Sequence, residues 1–193
     1  VYLPLLMDDS RYSPGEPDLR DAWQEATGGR FFVLMTARLD WGVKGSRMAV
    51  EAFARFSRQA PDARLVVPGW GVDQARSEAL LGEYGVLDKV LVLPMSGKRR
   101  LVRYLRAAHC LLDQFVLGYF GATALEALGC GLPVVMRLER TQYDALIPGG
   151  APPVCEAATA DGISDALLRL RNDAAHREAV AARSRAWFVE THG

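Results

Sequence analysis

The sequence predicts an α/β domain: an open, doubly wound parallel sheet with helices on both faces. The first observation is that short apolar runs alternate with longer amphipathic stretches, five or six times along the 193 residues. The second is that the connecting loops are short and contain glycine. The third is the stretch 111–136, which reads as strand, turn, helix, turn and strand, the unit from which parallel sheets are built.

The first half of the chain contains three apolar runs, and a continuous apolar run is typical of a strand buried on both faces. Strands are therefore predicted at 31–36, 63–67 and 89–93. Helices are predicted where apolar residues recur at three- and four-residue spacing or where polar residues cover one face. These helices lie at 19–26, 48–56, 73–84 and 98–108. Ser46 is predicted to cap the second helix, and the basic run 98–100 indicates a solvent-exposed face on the fourth.

The second half continues the alternation of strand and helix. Its central helix is rich in alanine and leucine, which have high helix propensity and little bulk and so suit packing flat on a sheet. The predicted segments are a strand at 110–115, a turn at 118–121, a helix at 122–128, a strand at 132–136, a loop with one helical turn at 137–150, and amphipathic helices at 164–170 and 174–188.

Composition and charge exclude several classes of function. Lys plus Arg and Asp plus Glu each number 23, so no basic field points to nucleic acid or to an acidic membrane surface. No apolar run is long enough to cross a bilayer, and no signal peptide opens the sequence. The three cysteines are widely spaced, which indicates buried thiols in the reducing cytoplasm. The three histidines have no ligand spacing, so no metal centre is predicted.

Four loops that follow predicted strands carry glycine or charge. In a doubly wound sheet, ligands bind in the crevice outside the carboxyl ends of the strands. The turn at 118–121 also precedes a helix, whose unpaired N–H groups and partial positive charge suit a diphosphate. No Walker or GxGxxG pattern accompanies it, which argues against an ATPase or a dehydrogenase. The loops of this predicted binding edge are 37–45, 68–72, 94–97 and 116–121.

Three charged side chains are candidates for ligand contact. Arg38 and Lys44 lie in the first loop, and a planar guanidinium with an ammonium suits a diphosphate, although both also fit an ordinary exposed surface. Glu126 is a single carboxylate within an apolar helical sequence, and a buried carboxylate needs a partner. Either Glu126 binds a ligand or it faces solvent on the open side of its helix.

The stretch 111–136 also resembles a known family. GYFG from position 118, LEA from position 125 and GCGLPVV from position 129 are similar to the donor-site signature of retaining, glycogen-synthase-like glycosyltransferases of the GT-B fold, the glycosyl transferases group 1. The resemblance covers nearly the whole chain and is strongest at 37–45 and 117–135.

The resemblance implies a Rossmann-like domain that forms one half of a GT-B fold. Residues 1–18 would be the interdomain connector, with Asp8 and Tyr12 at the places of the family's Asp and aromatic residue. Residues 19–193 would be the domain that binds the nucleotide-sugar donor.

The resemblance also implies roles for individual residues. Arg38 and Lys44 occupy the places of the Arg and Lys that hold the donor diphosphate, and they are the implied catalytic pair. Glu126 would accept hydrogen bonds from the ribose hydroxyls of the donor. The other implied donor-binding residues are Gly69 and Gly71 in a Gly-x-Gly loop, Met95 in the loop that reads the base, and Gly118, Tyr119, Phe120, Gly121 and Ala122 near the sugar and phosphates.

The sequence departs from the family pattern at position 118. The family usually has Glu-Gly-Phe-Gly there, with the first Glu eight positions before the second, whereas this chain has Gly118. Asp113 or Gln114 is a candidate to replace the missing Glu near the donor sugar. A buried Asp that closes a strand for structural reasons fits Asp113 equally well.

The function that the resemblance implies is transfer of a sugar from a nucleotide sugar, such as a UDP- or GDP-sugar, to an acceptor with retention of anomeric configuration. No metal and no other cofactor is expected. The acceptor, a sugar or glycoconjugate, would bind to a missing N-terminal domain that could also contact a membrane, so this chain alone is expected to be inactive. The alternatives are a non-catalytic nucleotide-sugar-binding module, which Gly118 favours, and a GT-B-fold sugar-nucleotide epimerase, whose acidic and histidine catalytic residues cannot be placed in this sequence.

Overall fold

The computed structural model describes residues 5–193; residues 1–4, the start of the predicted connector, lie outside the described residues. The strands in this part of the chain are β1 (Phe31–Leu34), β2 (Ala63–Pro68), β3 (Val90–Leu93), β4 (Cys110–Leu112), β5 (Val134–Met136) and β6 (Cys155–Glu156). All neighbouring pairs are parallel, and the order across the sheet is β3-β2-β1-β4-β5-β6. The predicted parallel sheet is therefore confirmed.

Helices connect these strands and cover the sheet. They are α1 (Arg20–Thr27), α2 (Ser46–Gln59), α3 (Gln74–Glu83), α4 (Lys98–Ala107), α5 (Ala122–Gly129), α6 (Arg140–Leu146), α7 (Ala160–Asn172) and α8 (Ala174–His192). A 3-10 turn, Leu87–Lys89, leads into β3. None of the helices in residues 5–193 has the length and apolar character needed to span a membrane.

Strand β1 shows why the sheet has a core on each face. Its side chains alternate between the two faces, and all of them are buried. Phe31 and Val33 contribute to a core formed with α2, α3 and α7. Phe32 and Leu34 contribute to the opposite core, formed with α1, α4, α5 and α8. Because helices occupy both faces, the edge formed by the strand ends is where a ligand can approach the sheet.

Two helix starts differ from their prediction. Ser46 is the first residue of α2 and not its cap, because Gly45 precedes it in the left-handed conformation (φ 70°) and no side chain caps this end. Helix α7 begins earlier than predicted, because the Thr159 side chain caps it by accepting from the Gly162 N–H at 3.1 Å.

The described part of the predicted connector, residues 5–18, packs against the helices. Arg185 of α8 donates to the Tyr12 carbonyl at 2.7 Å. Arg106 of α4 donates to the Ser13 carbonyl at 2.9 Å. These bonds fix the backbone just after the Tyr12 side chain, which is buried.

The strand order locates the binding edge. From β1 the chain winds outward through β2 to β3, and from β4 it winds the other way through β5 to β6. A crevice therefore opens between the loops that follow the adjacent strands β1 and β4. These loops contain Arg38 and Lys44 on one side and the turn at 118–121 on the other.

Candidate functional site

A cleft of about 170 Å³ lies at the carboxyl edge of the sheet. It is bordered by the loops after β1, β2 and β3 and by the first turn of α5. Met95, predicted from the sequence, lines this cleft and is 76% exposed. Trp70 lines it too and presents an exposed aromatic ring. A largely apolar wall with a few polar groups is the usual composition of a small-molecule site.

Two buried hydroxyl groups at this cleft have no hydrogen-bond partner among residues 5–193. They are Thr36 Oγ1 and the phenol of Tyr104. A buried hydroxyl without a partner costs about 1–3 kcal/mol. The cleft therefore combines a flat apolar ring with unused polar groups, which suits a planar heterocycle with polar edges.

Arg38 lies at the rim of the crevice and is held by Asp40. Its Nε donates to Asp40 Oδ2 at 3.1 Å, and its Nη2 forms an ion pair with the same oxygen at 3.0 Å. Asp40 Oδ1 accepts from the Val43 N–H at 2.9 Å, and this bond, followed by those from Arg38, lowers the pKa of Asp40. The pair orients the guanidinium but uses only part of its donor capacity, so N–H groups remain for an anion.

Trp41 binds the loop after β1 to α3. Its indole N–H donates to Ser77 Oγ at 2.9 Å, and its backbone N–H donates to the Asp73 carboxylate at 2.8 Å. The Arg76 guanidinium lies 4.0 Å from the centroid of the indole ring, a cation–π contact. Trp41 is therefore an anchor for the loop that carries Arg38.

Lys44 and Asp113 belong to the two loops that border the crevice between β1 and β4. The Lys44 carbonyl accepts from the Phe115 N–H at 3.0 Å, which joins the two loops. Asp113 is 3% exposed, and its Oδ2 has no partner among the described residues. Burial raises the pKa of Asp113, and the positive charge of Lys44 opposes that change. Asp113 is thus a buried carboxyl beside Lys44 and is not open to solvent.

Gly69 and Gly71 are required by contacts within the protein. A Cβ at Gly71, whose φ is 140°, would overlap the Leu39 backbone, and a Cβ at Gly69 would lie 3.0 Å from Val92 Cγ1. The Leu39 N–H donates to the Trp70 carbonyl at 3.0 Å. The Gly-x-Gly loop is therefore bound to the loop that carries Arg38. Contact of either glycine with a donor stays a prediction.

Gln114 holds the turn at 118–121 in place. Its side-chain amide donates to the carbonyls of Tyr119 at 2.8 Å and Arg137 at 3.0 Å. Its side-chain oxygen accepts from the Leu117 N–H at 2.8 Å. These bonds use both N–H donors of the amide, so Gln114 shapes the loop. Its role in place of the missing Glu stays a prediction.

Gly118 fits a turn in which a Glu at the same position would not fit. Its φ is 74°, and its carbonyl accepts from the Glu139 N–H at 2.7 Å. A Cβ at Gly118 would lie 2.6 Å from Glu139 Cγ. Glu139, which pairs with Arg137 at 2.6 Å, therefore places a carboxylate beside this turn from the loop after β5.

The remaining residues of the turn separate into a packed and an open side. The Phe120 ring stacks on Tyr143 with centroids 4.7 Å apart, so its side chain belongs to the core and only its backbone is open to a donor. Tyr119 is 54% exposed. Gly121 precedes α5 with open space where a Cβ would lie, and no side chain caps the N–H groups that begin at Ala122. This open helix start suits an anion, as predicted for a diphosphate.

Glu126 is buried in α5, with 1% of the residue exposed. The Tyr12 hydroxyl donates to Oε1 at 3.0 Å, and the Lys98 ammonium pairs with the same oxygen. Oε2 is buried and has no partner among the described residues. The solvent-facing alternative for Glu126 is therefore wrong. Lys98, predicted on a solvent-exposed face, is 57% exposed and also forms this ion pair.

Sequence reasoning missed several of these neighbours. Lys98 follows β3 and Glu139 follows β5, so both lie at the carboxyl edge of the sheet. Their position after predicted strands is the sequence signal from which they could have been predicted. Tyr104 lies on the buried face of α4, where a tyrosine hydroxyl usually needs a partner. Within residues 5–193, no group of three or more His, Cys, Asp or Glu side chains could hold a metal ion.

Comparison with a curated protein covers nearly the whole chain. The chain is 25% identical over 202 residues to a GDP-mannose-dependent alpha-(1-6)-phosphatidylinositol monomannoside mannosyltransferase of Mycolicibacterium smegmatis. The match covers 98% of this chain and 51% of the relative. The chain therefore spans about half the length of this relative.

Two solved structures share the fold, which is a Rossmann-like domain of the kind that forms half of a GT-B enzyme. One is the C-terminal domain of the glycosyl transferase group 1 family protein LpcC from Francisella tularensis, with a TM-score of 0.76 and 18% identity, covering 95% of this chain and 97% of that one. The other is Anabaena HepE in complex with UDP-glucose, with a TM-score of 0.79 and 16% identity, covering 97% of this chain and 52% of that one. The family model for glycosyl transferases group 1 matches residues 19–187. This chain therefore belongs to the glycosyl transferases group 1 family.

Proposed function

We propose that this chain is the donor-binding half of a retaining glycosyltransferase, which moves a sugar from a nucleotide sugar to an acceptor. The observation that carries the proposal is the meeting of two loops at the crevice between β1 and β4. One loop brings Arg38 and Lys44, and the other brings the open N-terminus of α5. Two cations and a row of free N–H groups suit a diphosphate.

Two relatives support a nucleotide-sugar donor. The mycobacterial mannosyltransferase is GDP-mannose-dependent, and HepE was crystallised with UDP-glucose. In this chain, the diphosphate would contact Arg38, Lys44 and the start of α5. The ribose would contact Glu126, and the base would lie in the cleft beside Met95 and Tyr104. The two cations would stabilise the charge that develops on the diphosphate as it leaves the sugar.

The proposal includes no metal ion, because the charge of the diphosphate is met by side chains and by the helix N-terminus. The acceptor would be a sugar or glycoconjugate held by a further domain facing the same crevice, and the enzyme would act in the cytoplasm. Gly118 favours a second candidate, a nucleotide-sugar-binding module without transferase activity. That candidate predicts donor binding without transfer even when the facing domain is present.

Replacing Arg38 or Lys44 by Ala tests the proposal. Each change is expected to weaken UDP or GDP binding by about 1.5–3 kcal/mol, the range for hydrogen bonds to charged groups. Binding of the nucleoside should barely change, because it lacks the phosphates. Titration calorimetry on the purified chain measures both affinities.

Arg58→Ala is the matched control for these substitutions. Arg58 is an exposed arginine in the last turn of α2, at the opposite end of that helix from the crevice. Its replacement should leave diphosphate binding unchanged. Equal losses for nucleoside and diphosphate in the Arg38 and Lys44 variants would show that these residues act on folding and not on the phosphates.

A further inference from the structure

Glu126 has its two hydrogen-bonding partners on one oxygen and none on the other. Oε1 accepts from the Tyr12 hydroxyl and the Lys98 ammonium. Oε2 is buried and has no partner among residues 5–193. Both oxygens of a carboxylate accept hydrogen bonds, and buried acceptors in native proteins are nearly always satisfied. The unused oxygen therefore indicates a donor group that lies outside residues 5–193.

The position of Glu126 indicates where that donor group comes from. Thr123 lies three residues earlier on α5, and residues three apart share one face of a helix. Thr123 lines the cleft at the carboxyl edge. Lys98 begins α4 just after Ser96, which also lines the cleft. Glu126 thus lies next to this cleft, on the side where the proposed function would bring the ribose of the donor.

Tyr12 is held firmly enough to orient this carboxylate. The residue is 5% exposed, and its carbonyl accepts from Arg185 at 2.7 Å. A Cβ at Gly129 of α5 would lie 2.9 Å from the same carbonyl oxygen, so the backbone of the two segments is in close contact. Burial, followed by the hydrogen bond to Glu126, raises the pKa of Tyr12 to about 12. The hydroxyl therefore keeps its proton and donates at neutral pH.

Lys98 acts on Glu126 differently from Tyr12. Its side chain is 57% exposed, whereas that of Glu126 is 1% exposed. An ion pair with one exposed member contributes little to stability, because water screens the ammonium and the long side chain loses entropy. Its main effect is local: the ammonium pairs with Oε1 and holds that oxygen toward the start of α4.

We propose that Tyr12 and Lys98 are positioning residues for Glu126. By engaging Oε1, they leave Oε2 for the ribose hydroxyls of a nucleotide donor. This inference rests on the proposed function and adds the segment before α1 to the donor site through the Tyr12 hydroxyl.

Tyr12→Phe and Lys98→Met test the inference, because each removes a polar group and keeps most of the side-chain volume. The measurement is the ribose preference, defined as the ratio of the dissociation constants of 2′,3′-dideoxy and ribonucleoside diphosphates, for both uridine and guanosine. Each change is expected to lower this ratio about threefold or more. Affinity for the dideoxy compound should stay unchanged, since it lacks the hydroxyls that Glu126 would bind. Glu126→Ala should abolish the preference.

The matched controls are Tyr84→Phe at the end of α3 and Lys89→Met, whose ammonium donates to the Ser57 carbonyl at 3.0 Å. Both should leave the ratio unchanged. If Tyr12→Phe and Lys98→Met lower the melting temperature but leave the ratio unchanged, these residues have a structural role and the inference is overturned. The inference is also overturned if the wild-type chain shows no ribose preference. If the wild-type chain binds no nucleoside diphosphate, the donor assignment itself fails and this inference fails with it.

Discussion

Two charged side chains at the binding edge already have partners in this structure. Arg38 is paired with Asp40, and Glu126 is paired with Lys98. A donor would therefore add to these pairs, using the N–H groups of Arg38 and the carboxylate oxygen of Glu126 that the pairs leave open. Meanwhile the pairs hold each side chain in one orientation, which reduces the cost of ordering it when the donor binds.

Position 118 gives the sharpest prediction at the scale of single residues. Gly118→Glu brings back the residue that the related enzymes usually have, yet we expect it to destabilise this chain by about 1–3 kcal/mol. The reason is the left-handed φ of 74° together with the approach of a Cβ to Glu139 Cγ. Gly121→Glu is the matched control, since φ is −112° there and a Cβ would have open space. Thermal unfolding compares the two, and equal melting temperatures would show that the turn can rearrange to accept the larger side chain.

The elements of the fold could be predicted, while contacts between their loops could not. The apolar run at 31–36 predicts a buried strand because a continuous apolar run is typical of a strand covered on both faces, and β1 occupies Phe31–Leu34 of it. The predicted strand at 110–115 ends at Leu112, because its neighbour β5 offers only three residues, Val134–Met136, for pairing. Residues 113–115 therefore turn into the crevice. The pairing of Lys98 with Glu126 joins two helices, and helical periodicity carries no information about it.

His109 gives a prediction at the scale of the β1–β4 junction. Its Nδ1 accepts from the Phe32 N–H at 3.0 Å, and its backbone N–H donates to the Phe32 carbonyl at 2.9 Å. Burial lowers the pKa of His109 to about 3, and the nearby positive charges of Arg20 and Arg177 act in the same direction. The negative charge of Asp62 opposes this change. Between that value and the ordinary 6.5, the unfolded chain binds a proton that the folded chain does not. This residue therefore makes the protein less stable as the pH falls through that window, by up to about 1.4 kcal/mol per pH unit.

The measurement is the free energy of unfolding of the wild type and of His109→Gln between pH 7 and pH 4. The Gln variant keeps an acceptor but has no titrating ring, so its stability should fall less steeply with acid. His176→Gln, in the first turn of α8, removes a histidine away from this junction and is the control. Parallel pH profiles for the wild type and His109→Gln would contradict the prediction.

At the scale of the whole molecule, the described chain would form one wall of the proposed binding site. Trp70, Met95 and Tyr119 are each at least 42% exposed at the carboxyl edge, although large apolar side chains are usually covered. The nucleotide donor and a facing domain would together cover them. The Francisella domain, which matches this chain over 95% of its length, was crystallised as a C-terminal domain. This supports the view that a unit of this extent folds by itself.

We therefore expect the 193-residue chain to fold cooperatively and to bind a nucleoside diphosphate, but to transfer no sugar. Transfer needs the acceptor hydroxyl held within reach of the sugar, and this positioning is worth many orders of magnitude in rate. The chain supplies groups for the donor, and the acceptor would be held from the other side of the crevice. A single unfolding transition checks the fold, and labelled UDP- and GDP-sugars with a panel of acceptors check the activity. The control is the same sequence joined to a facing acceptor domain, which should transfer the sugar if Gly118 is compatible with catalysis. Sugar transfer by the purified chain alone would show that the acceptor site lies within these residues and that the division of labour proposed for the two halves is wrong.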